Sequence, residues 1–344
     1  MKEKILVTGG TGFIGSHTVV ELQNSGYEVV IVDNLSNSSA IMVDNIEKIT
    51  GVRPAFEEVD CCDKAALEGV LAKYPGIKGV IHFAASKAVG ESVQKPLMYY
   101  RNNILSLINV LELMPKYDVK GIIFSSSCTV YGEPDCPPVT EESPIKPALS
   151  PYGNTKQINE EIIRDTVASG MPVSAILLRY FNPIGAHPTA YIGEMPNGVP
   201  QNLVPYLTQT AIGIRPMLTV FGDDYATPDG SCIRDYIYVV DLAKAHVTAM
   251  DRILSDKQKE KVEVFNIGTG KGVSVLELIH TFEKATGVKL NYKIGPRRAG
   301  DIEKVWADPK KANEELGWKA ETPLEDILRS AWAWQCKLRE DGIQ

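Results

Sequence analysis

Eight residues near the amino terminus constrain the fold of this chain more than any other stretch. Thr8-Gly9-Gly10-Thr11-Gly12-Phe13-Ile14-Gly15 follows the strand-like Lys4-Ile5-Leu6-Val7 at once and runs straight into a helical pattern. A turn this short needs glycine where it closes, where backbone must approach a ligand and where helix packs on strand. The helix then aims its unpaired N–H groups and the positive end of its dipole at the turn, a setting that favours a pyrophosphate. Gly9, Gly12 and Gly15 are therefore candidate dinucleotide-loop residues in the strand–turn–helix context that such a loop requires. The second strand-like run, 28–33, ends on Asp33. A carboxylate there accepts hydrogen bonds from an adenosine ribose and repels a 2′-phosphate, so the expected cofactor is NAD.

Short apolar runs at 4–7, 28–33, 54–59, 79–83, 121–125 and 173–180 alternate with helical stretches, the clearest at 96–117 and 152–168. That alternation predicts parallel strands joined by crossover helices. The expected fold class is α/β, with a Rossmann-type doubly wound parallel sheet over residues 1–181. After Phe181 come loops rich in Pro, Gly and Asn, then shorter elements and amphipathic helices at 241–254, 274–286 and 322–338. Residues 182–344 are expected to form a smaller α/β substrate domain, with some segments returning to the sheet and a ligand cleft between the two parts.

Tyr152 and Lys156 stand at i and i+4 in Ser150-Pro151-Tyr152-Gly153-Asn154-Thr155-Lys156, near the start of a predicted helix, and so share one face. A free phenol titrates near ~10, but an adjacent ammonium and a bound nicotinamide cation both favour the phenolate. The pair then becomes a general base able to take a hydroxyl proton while hydride leaves carbon. Were it only an exposed helix pair, it would contribute a few tenths of a kcal/mol. The preceding strand ends in Ser125-Ser126-Ser127-Cys128-Thr129, at the carboxyl edge where ligands gather in wound sheets, and Ser127 is the candidate hydroxyl there.

Composition narrows the partners. The net charge is −7 over 344 residues, which argues against nucleic acid, because phosphate-backbone binding needs clustered Lys and Arg. An anionic small substrate would need local cations instead. Cys61, Cys62, Cys128, Cys136, Cys232 and Cys336 have no paired spacing of a metal or disulfide framework, and they suit a reducing, cytosolic setting. His82 and His246 have no partner at ligand spacing, so no metal is expected. No apolar run approaches the ~20 residues of a membrane helix. The strand-like start at Lys4 leaves no room for a signal peptide, so neither membrane nor export is expected.

With these motifs in place, the chain resembles the UDP-glucose 4-epimerases of the extended short-chain dehydrogenase/reductase family along essentially its whole length. The matching segments are VTGGTGFIGSH, VIHFAASKAVGESVQKPL, IIFSSSCTVYG, SPYGNTK, LLRYFNPIGAHP and RDYIYVVDLA. The resemblance implies a tightly held NAD that is reduced and reoxidised in each turnover, and a transient 4-keto sugar that presents either face to the hydride. It implies an NAD shell of Phe13, Ile14, Asp33, Asn34, Asn37, Ser38, Asp60, Cys61, Phe83, Ala84, Ala85, Lys87, Asn102, Tyr152, Lys156 and Tyr180. Around the UDP-sugar it implies Lys87, Ser127, Tyr152, Asn182, Asn202, Leu203, Phe221, Arg234, Tyr236, Arg298 and Asp301. The two arginines would answer the diphosphate charge; as an ordinary surface feature they would instead pair with their sequence neighbours Asp235 and Asp301.

Related sugar 4,6-dehydratases eliminate water with an acidic pair after the serine-rich strand. Here Cys128-Thr129 stands in that place, and neither residue does carboxylate chemistry at neutral pH. A decarboxylase of the same family and an NAD-binding sensor without catalysis are the other readings; a sensor needs only the cofactor loop, whereas this chain keeps Tyr152 and Lys156 as well. The resemblance also places Val305 beside the sugar, where glucose-only relatives carry a tyrosine, so acceptance of the N-acetylated UDP-hexosamines is expected. Finally, the resemblance implies a homodimer built from the helix at 96–117 and the one that begins at Tyr152, although apolar Leu105, Ile108, Leu111 and Leu113 could equally pack internally.

Overall fold

Alternate residues of the first strand divide between two cores. Ile5 and Val7 face one side of a sheet and Leu6 the other, and all three are buried. The structure is a computed structural model and describes residues 3–298 and 301–343. Its first half runs β1 (Lys4–Thr8), α1 (Phe13–Asn24), β2 (Glu28–Asp33), α2 (Ile41–Thr50), β3 (Ala55–Glu58), α3 (Lys64–Lys73), β4 (Ile77–His82), α4 (Val89–Gln94), α5 (Pro96–Leu113), β5 (Gly121–Ser127), α6 (Pro151–Ala168) and β6 (Ser174–Tyr180). The second half has β7 (Asn182–Ile184), α7 (Leu203–Ala211), β8 (Leu218–Phe221), β9 (Ile233–Arg234), β10 (Tyr236–Tyr238) and α8 (Val239–Leu254). It ends with β11 (Val262–Ile267), β12 (Val273–Ser274), α9 (Val275–Thr286), β13 (Tyr292–Gly295), β14 (Lys304–Val305) and α10 (Leu324–Glu340).

Seven strands pair in the order β11-β6-β5-β4-β1-β2-β3, all parallel, with the strand order reversing after β1. This is the expected doubly wound α/β sheet. Helices α1, α2 and α8 cover one face, meeting Ile5, Val7, Ile31, Ile81, Ile123 and Ile176; α3, α5 and α6 cover the other, meeting Leu6, Val30, Val80, Ile122 and Leu177. Strands buried on both faces explain the near-continuous apolar runs in the sequence.

Beyond β6 the chain contributes β11 to the sheet edge and otherwise builds small two- and three-stranded sheets. A third apolar cluster joins Ile184, Leu207, Leu218, Tyr236, Leu278, Phe282 and Leu328 from α7, α9, α10 and the short strands. Several expected bounds shift by a few residues. The fifth strand continues through the serine run to Ser127, because Ser125, Ser126 and Ser127 all stay in register with Leu178, Arg179 and Tyr180. The helix expected at 96–117 ends at Leu113 and is followed by a 3-10 turn, Pro115–Tyr117, since proline cannot donate the next helical hydrogen bond.

Candidate active site

Parallel strands put all their carboxyl ends on one edge, and the candidates at strand ends are collected there by topology. Thr8 sits level with both Val32 and His82, and Ser127 level with Tyr180. At the end of β1, Gly9 has φ +70°, and a Cβ there would lie 2.9 Å from the Ala84 backbone nitrogen. Gly15 is tighter still: a Cβ would come to 2.2 Å from the Gly9 carbonyl oxygen. Gly12 is the N-cap of α1, with no side chain capping the helix and no acid in its first turn. An uncapped helix end framed by glycines fits the pyrophosphate of NAD. Phe13 and Ile14 continue from this turn into α1 and pack against the third apolar cluster.

Asp33, nearly buried at the end of β2, accepts hydrogen bonds from Thr11 N (3.1 Å), Leu35 N (3.0 Å) and Ser38 Oγ (3.1 Å). Those bonds fix the carboxylate against the glycine turn, and Leu35 takes a positive φ of 56° to complete the loop. Asn34 donates to Asp60 at 3.3 Å, Asp60 accepts from Cys62 N at 2.8 Å, and Asn37 is exposed in the turn between. Cys61 is buried, its carbonyl held by Asn109 at 2.9 Å. After β4, Phe83 N donates to Thr8 O and Ala84 N to Thr8 Oγ1, so Phe83, Ala84 and Ala85 lie beside the turn. Asn102 on α5 donates to Ser86 Oγ at 3.1 Å.

The catalytic candidates come from α6 and β5. Ser150 caps α6 by accepting from Gly153 N at 3.1 Å, and Pro151 occupies the first helical position. That start places Tyr152 and Lys156 on the turn that packs against β5. Lys156 Nζ donates to Ser125 O at 2.5 Å and lies 5.8 Å from the centre of the Tyr152 ring. Ser125 Oγ and Tyr180 OH are hydrogen-bonded, and Ser127 Oγ accepts from Thr129 N at 3.2 Å.

Burial acts on both members of the pair. Burial pushes the Tyr152 phenol up to about 12, helped by nearby Cys128 and opposed by a hydrogen bond with Ser127. Burial likewise pulls Lys156 down to about 7, against the supporting charge of Glu160. In the polypeptide alone desolvation disfavours both charges, and the charge of a bound nicotinamide, the other half of the sequence expectation, would act in the opposite direction on the phenol. Cys128 is also driven up by burial, to about 12, so it stays a neutral thiol.

In the second half of the chain the expected substrate residues take three arrangements. Asn182 opens β7 and pairs with Tyr236 on β10, and Arg234 on β9 is level with both Val305 on β14 and Val273 on β12. Arg234 does not pair with Asp235: its Nη1 donates to Ile233 O at 2.8 Å, and its charge is felt at Cys128 and Tyr236. Asp235 is fully buried, accepting from the backbone of Thr269, Gly270 and Ala307 and from the Thr269 hydroxyl. Arg298 does form the neighbour pair, a fork to Asp301 at 2.7 and 3.1 Å, and it lies 5.5 Å from the ring centre of Phe221. Asn202 precedes Leu203 at the start of α7, and both Asn202 and Lys87 donate to Glu194 Oε1, at 2.6 and 3.2 Å. Val305 is buried with Val130, Val139, Phe181 and Ala307, against Cys128.

Three residues that sequence reasoning passed over are built into this edge. Glu194 lies in the irregular Pro/Gly-rich stretch, which carries no periodicity to mark it. Glu160 and Arg179 form a buried fork at 2.6 and 2.9 Å behind Lys156, and Ser126 Oγ donates to Glu160 at 2.5 Å. Glu160 follows Lys156 at the same four-residue spacing as Lys156 follows Tyr152, and that was the available signal.

A Rossmann-type sheet with a dinucleotide turn and a Tyr-x-x-x-Lys helix beside a serine strand defines an NAD-dependent enzyme of the extended short-chain dehydrogenase/reductase class. Comparison with known proteins makes this specific. The family described as GDP-mannose 4,6 dehydratase matches residues 6–331. A UDP-glucose 4-epimerase of Bacillus subtilis is 51% identical over 331 residues, covering 96% of each chain. The crystal structure of UDP-glucose 4-epimerase from Bifidobacterium longum in complex with NAD+ and UDP is 50% identical with a TM-score of 0.93, covering 97% of this chain and 98% of that one. The UDP-glucose-4-epimerase from Stenotrophomonas maltophila, with bound NAD and formylated UDP-arabinopyranose, is 46% identical with a TM-score of 0.95, covering 99% and 100%. The chain belongs to the UDP-glucose 4-epimerase family.

Proposed function

We propose that this protein interconverts UDP-glucose and UDP-galactose through transient oxidation at C4 of the hexose. One observation carries the reading: Tyr152, Lys156 and Ser127 meet at the carboxyl edge of the sheet beside a dinucleotide turn, while Cys128-Thr129 occupies the position of a dehydratase's acidic pair. When bound, NAD supplies the electron sink that takes a hydride from C4 and gives it back. Tyr152 takes the proton of the C4 hydroxyl as that hydrogen leaves and returns it when the keto sugar is reduced on its other face. Ser127 hydrogen-bonds the phenol or the sugar oxygen, and Lys156, fixed to Ser125 O, holds its charge against the tyrosine ring. No step needs a carboxylic acid, and the half-buried Cys128 thiol offers none.

The residues of the glycine turn, the Asp33–Ser38 loop, Asp60, Cys61, Phe83, Ala84, Ala85, Asn102 and Tyr180 are proposed to line NAD. Residues 182–344 are proposed to supply the UDP-sugar side, with Arg234 and Arg298 toward the diphosphate. Arg298 would then have to exchange its fork with Asp301 for phosphate oxygens. By resemblance Val305 stands where glucose-only relatives carry a bulkier tyrosine, and UDP-N-acetylglucosamine and its galactose epimer are proposed as additional substrates. Leu97 (78% exposed), Met98 and Leu105 present apolar surface on α5. That supports a homodimer built from α5 and α6. No helix of the described residues is long and apolar enough to cross a membrane, and all six cysteines are free thiols, which accords with residence in the cytosol.

The deciding experiment incubates purified protein with UDP-galactose, without added NAD, and measures UDP-glucose with a coupled dehydrogenase. Turnover with no net NADH is expected. Stoichiometric NADH, or a keto-deoxy sugar product, would replace this reading with a dehydrogenase or a dehydratase.

A further inference from the structure

Glu194 is a carboxylate placed where a negative charge is least welcome, in a cleft proposed to receive a diphosphate. Its side chain is only 11% exposed, and one oxygen, Oε1, accepts from Asn202 Nδ2 at 2.6 Å and from Lys87 Nζ at 3.2 Å. These two donors come from different parts of the chain: Lys87 follows β4 of the sheet, and Asn202 begins α7. The helix makes the diversion of Asn202 visible. Asparagine is among the preferred N-cap residues, yet the Asn202 side chain makes no capping bond to α7.

The chain around Glu194 is tied at several points. Its own carbonyl accepts from Trp334 Nε1 at 3.0 Å, and Gly193 packs so closely that a Cβ would lie 2.5 Å from the Trp334 ring. Ala186 and Gly193 bridge antiparallel, and Ala186 N, donating to Ser330 Oγ, anchors the loop on α10. Asn45 Nδ2 holds Tyr191 O at 2.9 Å from the α2 side. The loop fixes the carboxylate, and the carboxylate fixes its two donors.

We propose that Glu194 is a positioning residue for the UDP-sugar: it holds Lys87 and Asn202 together across the cleft so that both donors are set before substrate arrives. This rests on the proposed epimerase reading, in which Lys87 and Asn202 face the nucleotide sugar. The ion pair itself adds little stability, because the Lys87 side chain is 48% exposed. Its effect belongs in binding, through the cost of ordering two flexible donors at the moment of association.

The test compares wild type, Glu194→Ala and Glu194→Gln as NAD-loaded proteins. KM for UDP-galactose and calorimetric affinity for UDP-galactose in the inactive Tyr152→Phe background are both measured. Glu194→Ala is expected to weaken both by roughly tenfold, the scale of one charge-assisted hydrogen bond, with kcat changed much less. Glu194→Gln, which keeps an acceptor for Asn202, should recover part of the loss. In a Lys87→Met, Asn202→Ala background the same Glu194→Ala change should cost less than about twofold, since the residues it acts through are gone. Unchanged or tighter binding in Glu194→Ala would overturn the proposal, and so would a full loss that persists in the triple variant. A wild type that turns over no UDP-galactose would instead remove the epimerase reading beneath it.

Discussion

Lys156 Nζ donates to the carbonyl oxygen of Ser125 at 2.5 Å, within a strand whose next residue but one is the candidate hydroxyl Ser127. The ammonium is thereby fixed by backbone, and Glu160 is the acidic group that supports its charge. His82, Tyr152 and Tyr180 also lie near this group, and burial keeps the imidazole neutral and both phenols protonated. A lysine held near 7 when folded and near ~10.4 when unfolded binds fewer protons in the native state across that window. Native stability is therefore lowered in full below about pH 7 and recovers as pH rises toward the unfolded value. Lys156→Met should raise the melting temperature at pH 6.5 and raise it less at pH 9.5. Thermal unfolding of both proteins at the two pH values checks this; an equal gain at both would remove the buried charge from the account.

Tyr152→Phe removes the phenol and leaves the fold and the dinucleotide turn intact. General-base contributions run to about 10²–10⁴-fold, so kcat should fall by roughly three orders of magnitude. NAD retention, measured by denaturing the purified protein and assaying the released cofactor, should stay at the wild-type level. Wild-type turnover in this variant would end the base assignment.

The Glu160–Arg179 fork lies in a row that crosses three strands. Ser126, Arg179 and Asn266 occupy the same register position on β5, β6 and β11, and Tyr131 OH ties Arg179 (3.1 Å) to Asn266 (2.6 Å). Removing one partner strands a buried charge, so Arg179→Met should cost about 3–5 kcal/mol of stability. The double change Glu160→Gln, Arg179→Met should cost clearly less, since neither charge remains. Chemical denaturation of wild type, Glu160→Gln, Arg179→Met and the double variant gives the comparison, and additive losses would mean the two residues act separately.

Which parts of this site could be read from sequence follows from how local they are. The glycine turn, Asp33 and the Tyr152–Lys156 spacing each lie within a few residues of a strand end or helix start, where chain geometry sets direction. Arg234 and Asp235 were read as possible partners because they are adjacent, but successive residues of an extended chain face opposite ways, and Asp235 turns inward to Thr269, Gly270 and Ala307. Glu194 reaches Lys87 over 107 residues, so no local pattern could mark it. Spacing marks Lys156 as a neighbour of Tyr152, but burial, which raises the phenol and lowers the ammonium, is a tertiary property that spacing does not report.

Gly15 has no space for a side chain. A Cβ would sit 2.2 Å from Gly9 O and 2.8 Å from Gly10 Cα, both backbone, so α1 would have to move away from β1. Gly15→Ala should lose bound NAD and with it most cofactor-dependent thermal stabilisation, whereas Gly26→Ala, at a φ of +86° but with open space around it, should keep its NAD. Cofactor content per chain, read after denaturation, separates the two. Full occupancy in Gly15→Ala would show that the turn can open without cost.

Val305 offers the sharpest handle on substrate range. It is 3% exposed, packs with Val130, Val139, Phe181 and Ala307 against Cys128, and is paired in register with Arg234. A tyrosine there exceeds the space of the apolar cluster, so its ring has to extend toward the cleft or strain the packing at about 1–3 kcal/mol. In the first case Val305→Tyr should lower kcat/KM for UDP-N-acetylgalactosamine at least tenfold while leaving UDP-galactose within about threefold, the discrimination one bulky group gives in an apolar pocket. Val305→Ala, measured beside it, should keep both substrates, and melting temperatures report any strain. If wild type turns over no acetamido sugar, Val305 does not set substrate breadth. If Val305→Tyr slows both sugars equally, the residue supports the site without selecting between them.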